Sequence, residues 1–348
     1  MRNAARAGLA RVLTAGGAFA LTAVLLAQVP TKAGAGATQT GDHTPGATPD
    51  PTPTATATHV PSATPAPSPS TTVSPRPTAS PGATARAALP VGAKVRTFSY
   101  GPHPRQRMDI WWHSTGPRRP AVFIIHGGWW SSGDKRSLTS ISKSYVRLGY
   151  TVVNLNYRLS GDAPWPAQRT DALDVIKTVR RHAALFNTDP DRYVVIGFSA
   201  GGHISTALGT YGDGLPGLRG VVGISPVVSP LASFEDGSDA FADFARRKLR
   251  RAALTLAGGC TPDRCPQKWS SMEVPFHASP GDAPVLTIHS DEEFVPPYQS
   301  EILRGELLAA GVPMTVRTVP GTRHSSALYR EPGVAETVRT WIASRLNR

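Results

Sequence analysis

The feature that most constrains the fold is a regular alternation of short apolar runs with helix-like segments from residue 89 onward. Some runs, such as residues 121–125 and 193–196, are continuously apolar, as expected of strands buried on both faces. The alternation predicts an α/β fold with a mostly parallel central sheet and helices on both faces. In such a sheet ligands bind at the carboxyl ends of the strands. The predicted strands cover residues 94–100, 108–113, 121–125, 151–155, 193–196, 220–224, 285–289 and 314–319, and the predicted helices cover 138–148, 167–182, 203–210, 299–310 and 334–346.

The N-terminal region has the composition of an export signal. Three arginines precede an apolar, uncharged stretch over residues 12–29, and Ala35-Gly36-Ala37 fits the cleavage pattern of a signal peptide. The apolar stretch is also just long enough to span a bilayer. Residues 1–37 are therefore predicted to be either a signal peptide or a membrane anchor, and both predict a secreted or envelope-associated protein.

Residues 38–88 form a low-complexity segment of Pro, Thr, Ser and Ala without an aromatic residue. Such a composition cannot bury enough apolar surface to offset the entropy of ordering, so it predicts a disordered linker. Its many hydroxyl groups also suit O-glycosylation, which the sequence leaves open. The linker separates the leader from a predicted globular domain over residues 89–348, and with the leader it is suited to association with a cell wall or membrane surface.

The charge is strongly positive, with 37 Lys and Arg against 24 Asp and Glu and a formal net charge of +13. A nucleic-acid partner is not expected, because the cations are scattered and no recognition motif accompanies them. Cys260 and Cys265 lie close together in an exported chain, which predicts a local disulfide. A metal site is not expected, since no second Cys or His pair has suitable spacing.

The alternation breaks between residues 226 and 274. Within this insert, residues 234–256 read as one amphipathic helix. An insert that follows a strand on the ligand-binding edge is predicted to be a small cap over the site.

A Gly-x-Ser-x-Gly motif, Gly197 to Gly201, lies between the predicted strand 193–196 and the predicted helix 203–210. This is the pattern of a nucleophile elbow, in which a serine sits on a sharp strand-to-helix turn. The glycines are required because the turn strains the backbone and because strand and helix pass closely. Ser199 is the candidate nucleophile. The motif alone is unspecific in a chain with 33 glycines. Whether it is a nucleophile elbow depends on the residues that follow the other predicted strands.

Two further strand ends carry matching chemistry. His126-Gly127-Gly128-Trp129-Trp130 follows the strand 121–125; such a glycine-rich loop supplies backbone N–H groups that stabilise an oxyanion. Gly128 and Trp129 are the candidate donors there, with Ala200 after the elbow as the second. His126 is expected to brace the loop, and His203 to make a supporting contact.

The candidate acid and base follow in the order serine, acid, histidine that this architecture requires. His324 follows the strand 314–319 and is the candidate base. Three carboxylates follow the strand 285–289. Asp291 is preferred because it sits at the strand end, Glu292 comes next because of its distance to Val295-Pro296, and Glu293 would need a longer loop.

Together these motifs resemble the α/β-hydrolase esterases of the hormone-sensitive-lipase-like and carbohydrate- and feruloyl-esterase-like (BD-FAE-like) branch, which is related to the kynurenine formamidases. The chain departs from that pattern at Trp129, which replaces a third glycine, and in an acid loop about one residue shorter than usual. The resemblance spans nearly all of residues 89–348 and rests on Met108-Asp109-Ile110, His126 to Trp130 with Gly133-Asp134-Lys135, Asn156-Tyr157-Arg158-Leu159, Trp165-Pro166-Ala167, the elbow, Phe294-Val295-Pro296-Pro297 and Pro320-Gly321-Thr322-Arg323-His324.

The resemblance implies an α/β-hydrolase fold and an exported serine hydrolase that cleaves carboxylic esters through an acyl-enzyme, without cofactor or metal. Its substrate would be a small-molecule or polysaccharide-linked ester. Two alternatives stay open: an amidase or formamidase on the same triad, and a non-catalytic surface binding module with a hydrolase fold.

Overall fold

The computed structural model describes residue 90 and residues 92–347. The predicted leader (1–37) and linker (38–88) lie outside the described residues. In the described part of the chain, no helix has both the length and the apolar character needed to cross a bilayer.

The centre of the domain is one eight-stranded sheet in the order β1-β2-β4-β3-β5-β6-β7-β8. The first two strands run antiparallel to their neighbours, and the remaining six are parallel. The predicted mostly parallel sheet is therefore confirmed, with strand ends within a few residues of the prediction for most strands. The strands are β1 (Ala93–Ser99), β2 (Arg107–His113), β3 (Arg119–Ile125), β4 (Thr151–Leu155), β5 (Thr188–Phe198), β6 (Leu218–Ile224), β7 (Val285–Ser290) and β8 (Met314–Val319).

Helices cover both faces of the sheet. The alternation along β3 shows how: Phe123 and Ile125 pack into one apolar core, whereas Val122 and Ile124 pack into the other. Because successive side chains of a strand point to opposite faces, a continuously apolar strand needs a helical layer on each side. The helices are α1 (Thr139–Arg147), α2 (Ala167–Arg181), α3 (Ala200–Gly209), α4 (Pro230–Asp236), α5 (Phe244–Leu256), α6 (Pro266–Met272), α7 (Tyr298–Ala309), α8 (Ser326–Tyr329) and α9 (Val334–Leu346).

The insert between β6 and β7 contains α4, α5, α6 and a short 3-10 helix, Val274–His277. The expectation of one helix over residues 234–256 was wrong, because the chain turns between α4 and α5. Asp243 caps the start of α5 by accepting a hydrogen bond from the Arg246 N–H. The chain packs so closely at Gly237 that a Cβ there would lie 2.4 Å from the Arg246 carbonyl oxygen. The predicted disulfide between Cys260 and Cys265 is present between α5 and α6.

Candidate active site

Ser199 lies on the sharp turn between β5 and α3. Its φ of 54° and ψ of −118° place it in a backbone region that non-glycine residues rarely adopt. The turn is closed so tightly that a Cβ on Gly197 would lie 2.0 Å from the carbonyl oxygen of Gly201. The strained turn lifts Ser199 out of the strand at the carboxyl edge of the sheet, as the elbow motif predicts.

The glycine-rich loop after β3 packs directly against this turn. A Cβ on Gly127 would lie 3.1 Å from the Cβ of Ser199, so the loop and the serine are in contact. Gly128 has a φ of 125°, and Trp129 follows with a φ of 58°. Among the hydrogen bonds within residues 92–347, none has the backbone N–H of Gly128, Trp129 or Ala200 as its donor. These three N–H groups therefore remain available for an oxyanion beside Ser199.

His126 braces the loop from behind. Its Nδ1 donates to the Gly127 carbonyl oxygen at 2.7 Å, and its ring stacks on Tyr157 at 4.6 Å between centroids. The Arg105 side chain donates to the Gly133 carbonyl oxygen at the far end of the loop. Burial lowers the pKa of His126 to about 4. The imidazole is therefore neutral at neutral pH and holds the loop without adding a charge.

His203 joins the loop to the insert. The Trp130 indole N–H donates to its Nδ1 at 3.1 Å, and its Nε2 donates to the Met272 carbonyl oxygen at 2.8 Å. Burial lowers the pKa of His203 to about 4. A neutral imidazole with both nitrogens occupied is a support, so His203 is not a candidate base.

His324 lies in the loop after β8, and its Nδ1 makes a short hydrogen bond to Oε2 of Glu293. The Glu293 side chain is completely buried. Its other oxygen accepts from His289 Nδ1 at 2.9 Å and from the Ser290 N–H at 3.2 Å. Burial opposes ionisation of Glu293, but the hydrogen bonds from His289 and His324 outweigh it, and its pKa is lowered below the ordinary value. Glu293 is thus held as a carboxylate.

Backbone contacts hold the loop that carries His324 at the strand end beside Ser199. The next residue, Ser325, donates its N–H to Ser225 Oγ at 2.9 Å, and Ser225 directly follows Ile224, whose carbonyl oxygen accepts from the Ser199 N–H. His324 Nε2 is buried and has no hydrogen-bond partner within the described residues. One ring nitrogen is therefore fixed by a carboxylate while the other stays free to exchange a proton.

The structure does not bring Asp291 or Glu292 to His324. Asp291 is exposed, and its Oδ1 accepts from the Gly321 N–H at 2.8 Å. The Glu292 N–H donates to the Gly321 carbonyl oxygen at 3.1 Å. The preference for Asp291 was therefore wrong, and so was the ranking of Glu292 second. Both residues tie the acid loop to the histidine loop, and this pairing turns the next side chain, Glu293, inward.

A sequence model of the BD-FAE family matches residues 108–307, more than half of the chain. The chain belongs to the BD-FAE family. The match begins in β2 and includes the loop after β3, the elbow and the acid loop.

Curated relatives of this BD-FAE chain carry esterase names. It is 26% identical to the esterase LipQ of Mycobacterium tuberculosis (strain ATCC 25618 / H37Rv) over 269 residues, which are 72% of this chain and 62% of LipQ. It is 36% identical to the carboxylesterase NlhH of the same strain over 90 residues, 26% of this chain and 28% of NlhH. The chain therefore covers less than two thirds of either relative.

The structure of this chain is also similar to solved structures of esterases. A truncated carbohydrate esterase from gut microbiota superposes with a TM-score of 0.62 at 23% identity, over 74% of this chain and 96% of that one. An acetyl ester-xyloside bifunctional hydrolase from Caldicellulosiruptor lactoaceticus gives a TM-score of 0.60 at 21% identity, over 74% of this chain and 98% of that one. These likenesses confirm the α/β-hydrolase fold of the BD-FAE chain.

His289 was not predicted to be a functional residue, because in the sequence it is only the last residue of the predicted strand 285–289. It is fully buried, and its Nε2 accepts a hydrogen bond from Ser300 Oγ at 2.8 Å while Nδ1 donates to Glu293. A histidine at a strand end, four residues before a glutamate, was the signal that could have identified both residues. Within residues 92–347, no cluster of three His, Cys, Asp or Glu side chains could hold a metal ion.

Proposed function

We propose that this BD-FAE protein is a carboxylic ester hydrolase with Ser199 as nucleophile, His324 as base and Glu293 as the triad acid. The observation that carries the proposal is the hydrogen bond between His324 and a completely buried, ionised Glu293. A carboxylate so placed fixes the tautomer of the imidazole with Nδ1 protonated and Nε2 able to accept a proton.

In the proposed reaction, Ser199 Oγ attacks the ester carbonyl carbon while His324 Nε2 takes the hydroxyl proton. The carbonyl oxygen gains negative charge and is stabilised by the N–H groups of Gly128, Trp129 and Ala200. The tetrahedral species then expels the alkoxide, which receives the proton from His324 and leaves as the alcohol. Water repeats the sequence on the acyl-enzyme and releases the carboxylic acid.

The negative charge of Glu293 supports the proton transfers of this reaction. The imidazole of His324 becomes a cation each time it holds the proton, and a neighbouring carboxylate favours that cation. The contact of His289 with the other Glu293 oxygen keeps the carboxylate oriented toward His324. Apart from the ester and water, the proposed steps use only side chains and backbone groups of the chain.

The names of the relatives support the ester-hydrolase assignment, since LipQ and NlhH are both called esterases. One structural neighbour is named a carbohydrate esterase and another an acetyl ester-xyloside hydrolase. We therefore include polysaccharide-linked acetyl esters among the substrates to be tested, beside small-molecule esters.

We also propose that the protein acts outside the cytoplasm, either secreted or associated with the cell envelope. The arginine-led apolar leader supports export. The Cys260–Cys265 disulfide supports an oxidising compartment.

The test is activity-based labelling of the full chain combined with ester hydrolysis. We expect a fluorophosphonate probe to modify Ser199, as read by mass spectrometry of the labelled peptide, because only an activated serine reacts. We expect Ser199→Ala to abolish labelling and to lower 4-nitrophenyl acetate turnover by about 10³-fold or more. Ser205→Ala is the control that should still be labelled, because Ser205 lies in the following helix α3 and is buried against Gly202 and Val222.

Turnover by Ser199→Ala at the parent rate would contradict the proposal. Faster hydrolysis of N-formylkynurenine than of any ester in a panel of acetyl, butyryl, feruloyl and acetyl-xylan substrates would assign the same triad to an amide. Absence of labelling and of turnover on every substrate would favour a binding module.

A further inference from the structure

A row of side chains leads from His324 to the surface of the insert. The ring of Phe294 contacts the ring of His324 at 4.3 Å between centroids. Trp129 stacks on Phe294 at 5.1 Å with an interplanar angle of 18°. The ammonium group of Lys248, on α5, lies 4.6 Å from the centroid of the Trp129 ring. The row thus ends in a positive charge beside the residue whose N–H is proposed to stabilise the oxyanion.

The acid loop builds one end of this row. Glu293 and Phe294 are neighbours, yet Glu293 is buried and Phe294 is partly exposed. The same loop that buries the carboxylate therefore leaves the Phe294 ring beside His324 and partly exposed. Trp129 is partly exposed as well, and the two rings form an aromatic wall next to His324.

Lys248 differs from Arg246 and Arg250, two neighbouring cations of α5. Arg246 lies 4.0 Å from the Asp243 carboxylate, and Arg250 donates to the Phe234 carbonyl oxygen at 2.8 Å. Lys248 is exposed, and in the described residues its ammonium has neither a carboxylate partner nor a hydrogen bond.

A cation over an aromatic face is attracted by the negative charge of the ring face, so the Trp129 ring favours this position of the Lys248 ammonium. Such a contact uses the charge of the ammonium but none of its three N–H donors. The donors of Lys248 therefore stay available for an anionic group that approaches along the aromatic wall.

We infer that Lys248, positioned by Trp129, selects esters that carry a carboxylate in their acyl or alcohol part. The inference rests on the proposed ester-hydrolase function and names its substrate class. The carboxylate of the substrate pairs with Lys248, the apolar part lies along Trp129 and Phe294, and the scissile carbonyl reaches Ser199. Lys248 takes no part in the bond changes.

The experiment compares matched esters that differ in one charge. For the acyl side the pair is 4-nitrophenyl hydrogen glutarate and 4-nitrophenyl pentanoate. For the alcohol side the pair is 4-acetoxybenzoate and its methyl ester. The quantity measured is the ratio of kcat/KM between the anionic and the neutral member, for the parent and for Lys248→Gln, Lys248→Arg and Lys248→Glu.

We expect Lys248→Gln to lower this ratio about two- to fivefold in at least one pair, through KM rather than kcat. Lys248→Arg should keep the ratio because it keeps the charge, and Lys248→Glu should lower it further. Raising the salt concentration should lower the parent ratio toward that of Lys248→Gln. Lys143→Gln, which removes the same charge from α1 on the opposite face of the sheet, should leave the ratio unchanged.

The ester pair whose ratio changes shows whether Lys248 binds a carboxylate in the acyl part or in the alcohol part of the substrate. A Lys248→Gln ratio equal to the parent ratio in both pairs overturns the inference while the ester-hydrolase function stands. Failure of the parent to hydrolyse any of the four esters, together with an unlabelled Ser199, would instead overturn the proposed function itself.

Discussion

Two buried glutamates, one before and one after β7 in the chain, have pKa values that are shifted in opposite directions. Glu293 in the acid loop and Glu273 at the end of the insert are 3% and 4% exposed. Burial disfavours the charged form of both. Even so, the pKa of Glu293 is lowered, whereas burial raises the pKa of Glu273 to about 7.

The difference lies in the hydrogen-bond donors. Glu273 accepts from the Ser229 hydroxyl and from the Leu231 N–H, both neutral groups. Glu293 accepts from two histidines, which can themselves carry positive charge. A buried carboxylate that faces ionisable donors is kept charged, and one that faces neutral donors is easily neutralised. The first arrangement suits a catalytic site, and the second suits a structural link.

The largest effect is expected at Glu293, the proposed catalytic member of the pair. Glu293→Gln keeps the shape of the side chain but can donate to His324 Nδ1, which favours the wrong imidazole tautomer. We expect kcat/KM for 4-nitrophenyl acetate to fall about 10³–10⁴-fold, by analogy with the loss on replacing the triad aspartate of a serine protease by asparagine. Steady-state kinetics at neutral pH measure it.

Asp291→Asn is the matched control, because Asp291 contacts Gly321 and not His324. Its kcat/KM should stay within a few fold of the parent value. A reversed order, with Asp291→Asn more damaging than Glu293→Gln, would refute the assignment of Glu293 as the acid.

A smaller effect is expected on removing the second histidine. His289→Leu takes away the donor to one Glu293 oxygen and leaves a buried charge incompletely paired, which should lower the free energy of unfolding by about 1–3 kcal/mol. A carboxyl with a lowered folded-state pKa stabilises the fold above its unfolded pKa, and this stability is lost as the pH falls through the folded pKa. With His289 gone the folded pKa rises, so the loss begins at higher pH.

Urea unfolding between pH 3 and 8 measures both effects. Ser300→Ala, which removes only the hydroxyl behind His289, is the control and should cost less than His289→Leu. Parallel stability curves for His289→Leu and the parent across this range would show that His289 does not hold the charge on Glu293.

An effect of similar size, seen only as a dependence on pH, is expected at Glu273. Its folded pKa of about 7 lies above its unfolded value, so its stabilising contribution is full below the unfolded pKa and is lost as the pH rises through 7. Glu273→Gln removes this titration. Relative to the parent, the variant should gain about 1–3 kcal/mol of unfolding free energy between pH 5 and pH 8.

Thermal or urea unfolding of the two proteins at both pH values gives the difference directly. Glu306→Gln on the exposed side of α7 controls for the loss of one negative charge. An unchanged difference between pH 5 and pH 8 would mean that Glu273 stays ionised like Glu293.

The sequence predicted the sheet well because a strand buried on both faces leaves a visible apolar run, as in β3 and β5. The positions of Ser199 and His324 followed, since Ser199 directly follows β5 and His324 lies in the loop after β8. The insert was predicted less well. The break between α4 and α5 depends on a cap at Asp243 and a close approach at Gly237, which do not interrupt the helical periodicity of residues 234–256.

The choice among three adjacent carboxylates could not be made from spacing alone. It is decided by two contacts with Gly321, about thirty residues along the chain: the Asp291 carboxylate accepts from the Gly321 N–H, and the Glu292 N–H donates to the Gly321 carbonyl oxygen. Once these contacts form, Glu293 is the one carboxylate of the three that is buried in the domain, and its side chain reaches His324.

The position of the first strand has a practical consequence. Because β1 pairs antiparallel with β2, and β2 pairs antiparallel with β4, Ala93 lies at the end of the sheet opposite to the carboxyl edge that carries Ser199 and His324. A bead, electrode or fusion partner attached next to Ala93 would therefore sit at the far end of the sheet from the site and leave access to Ser199 open.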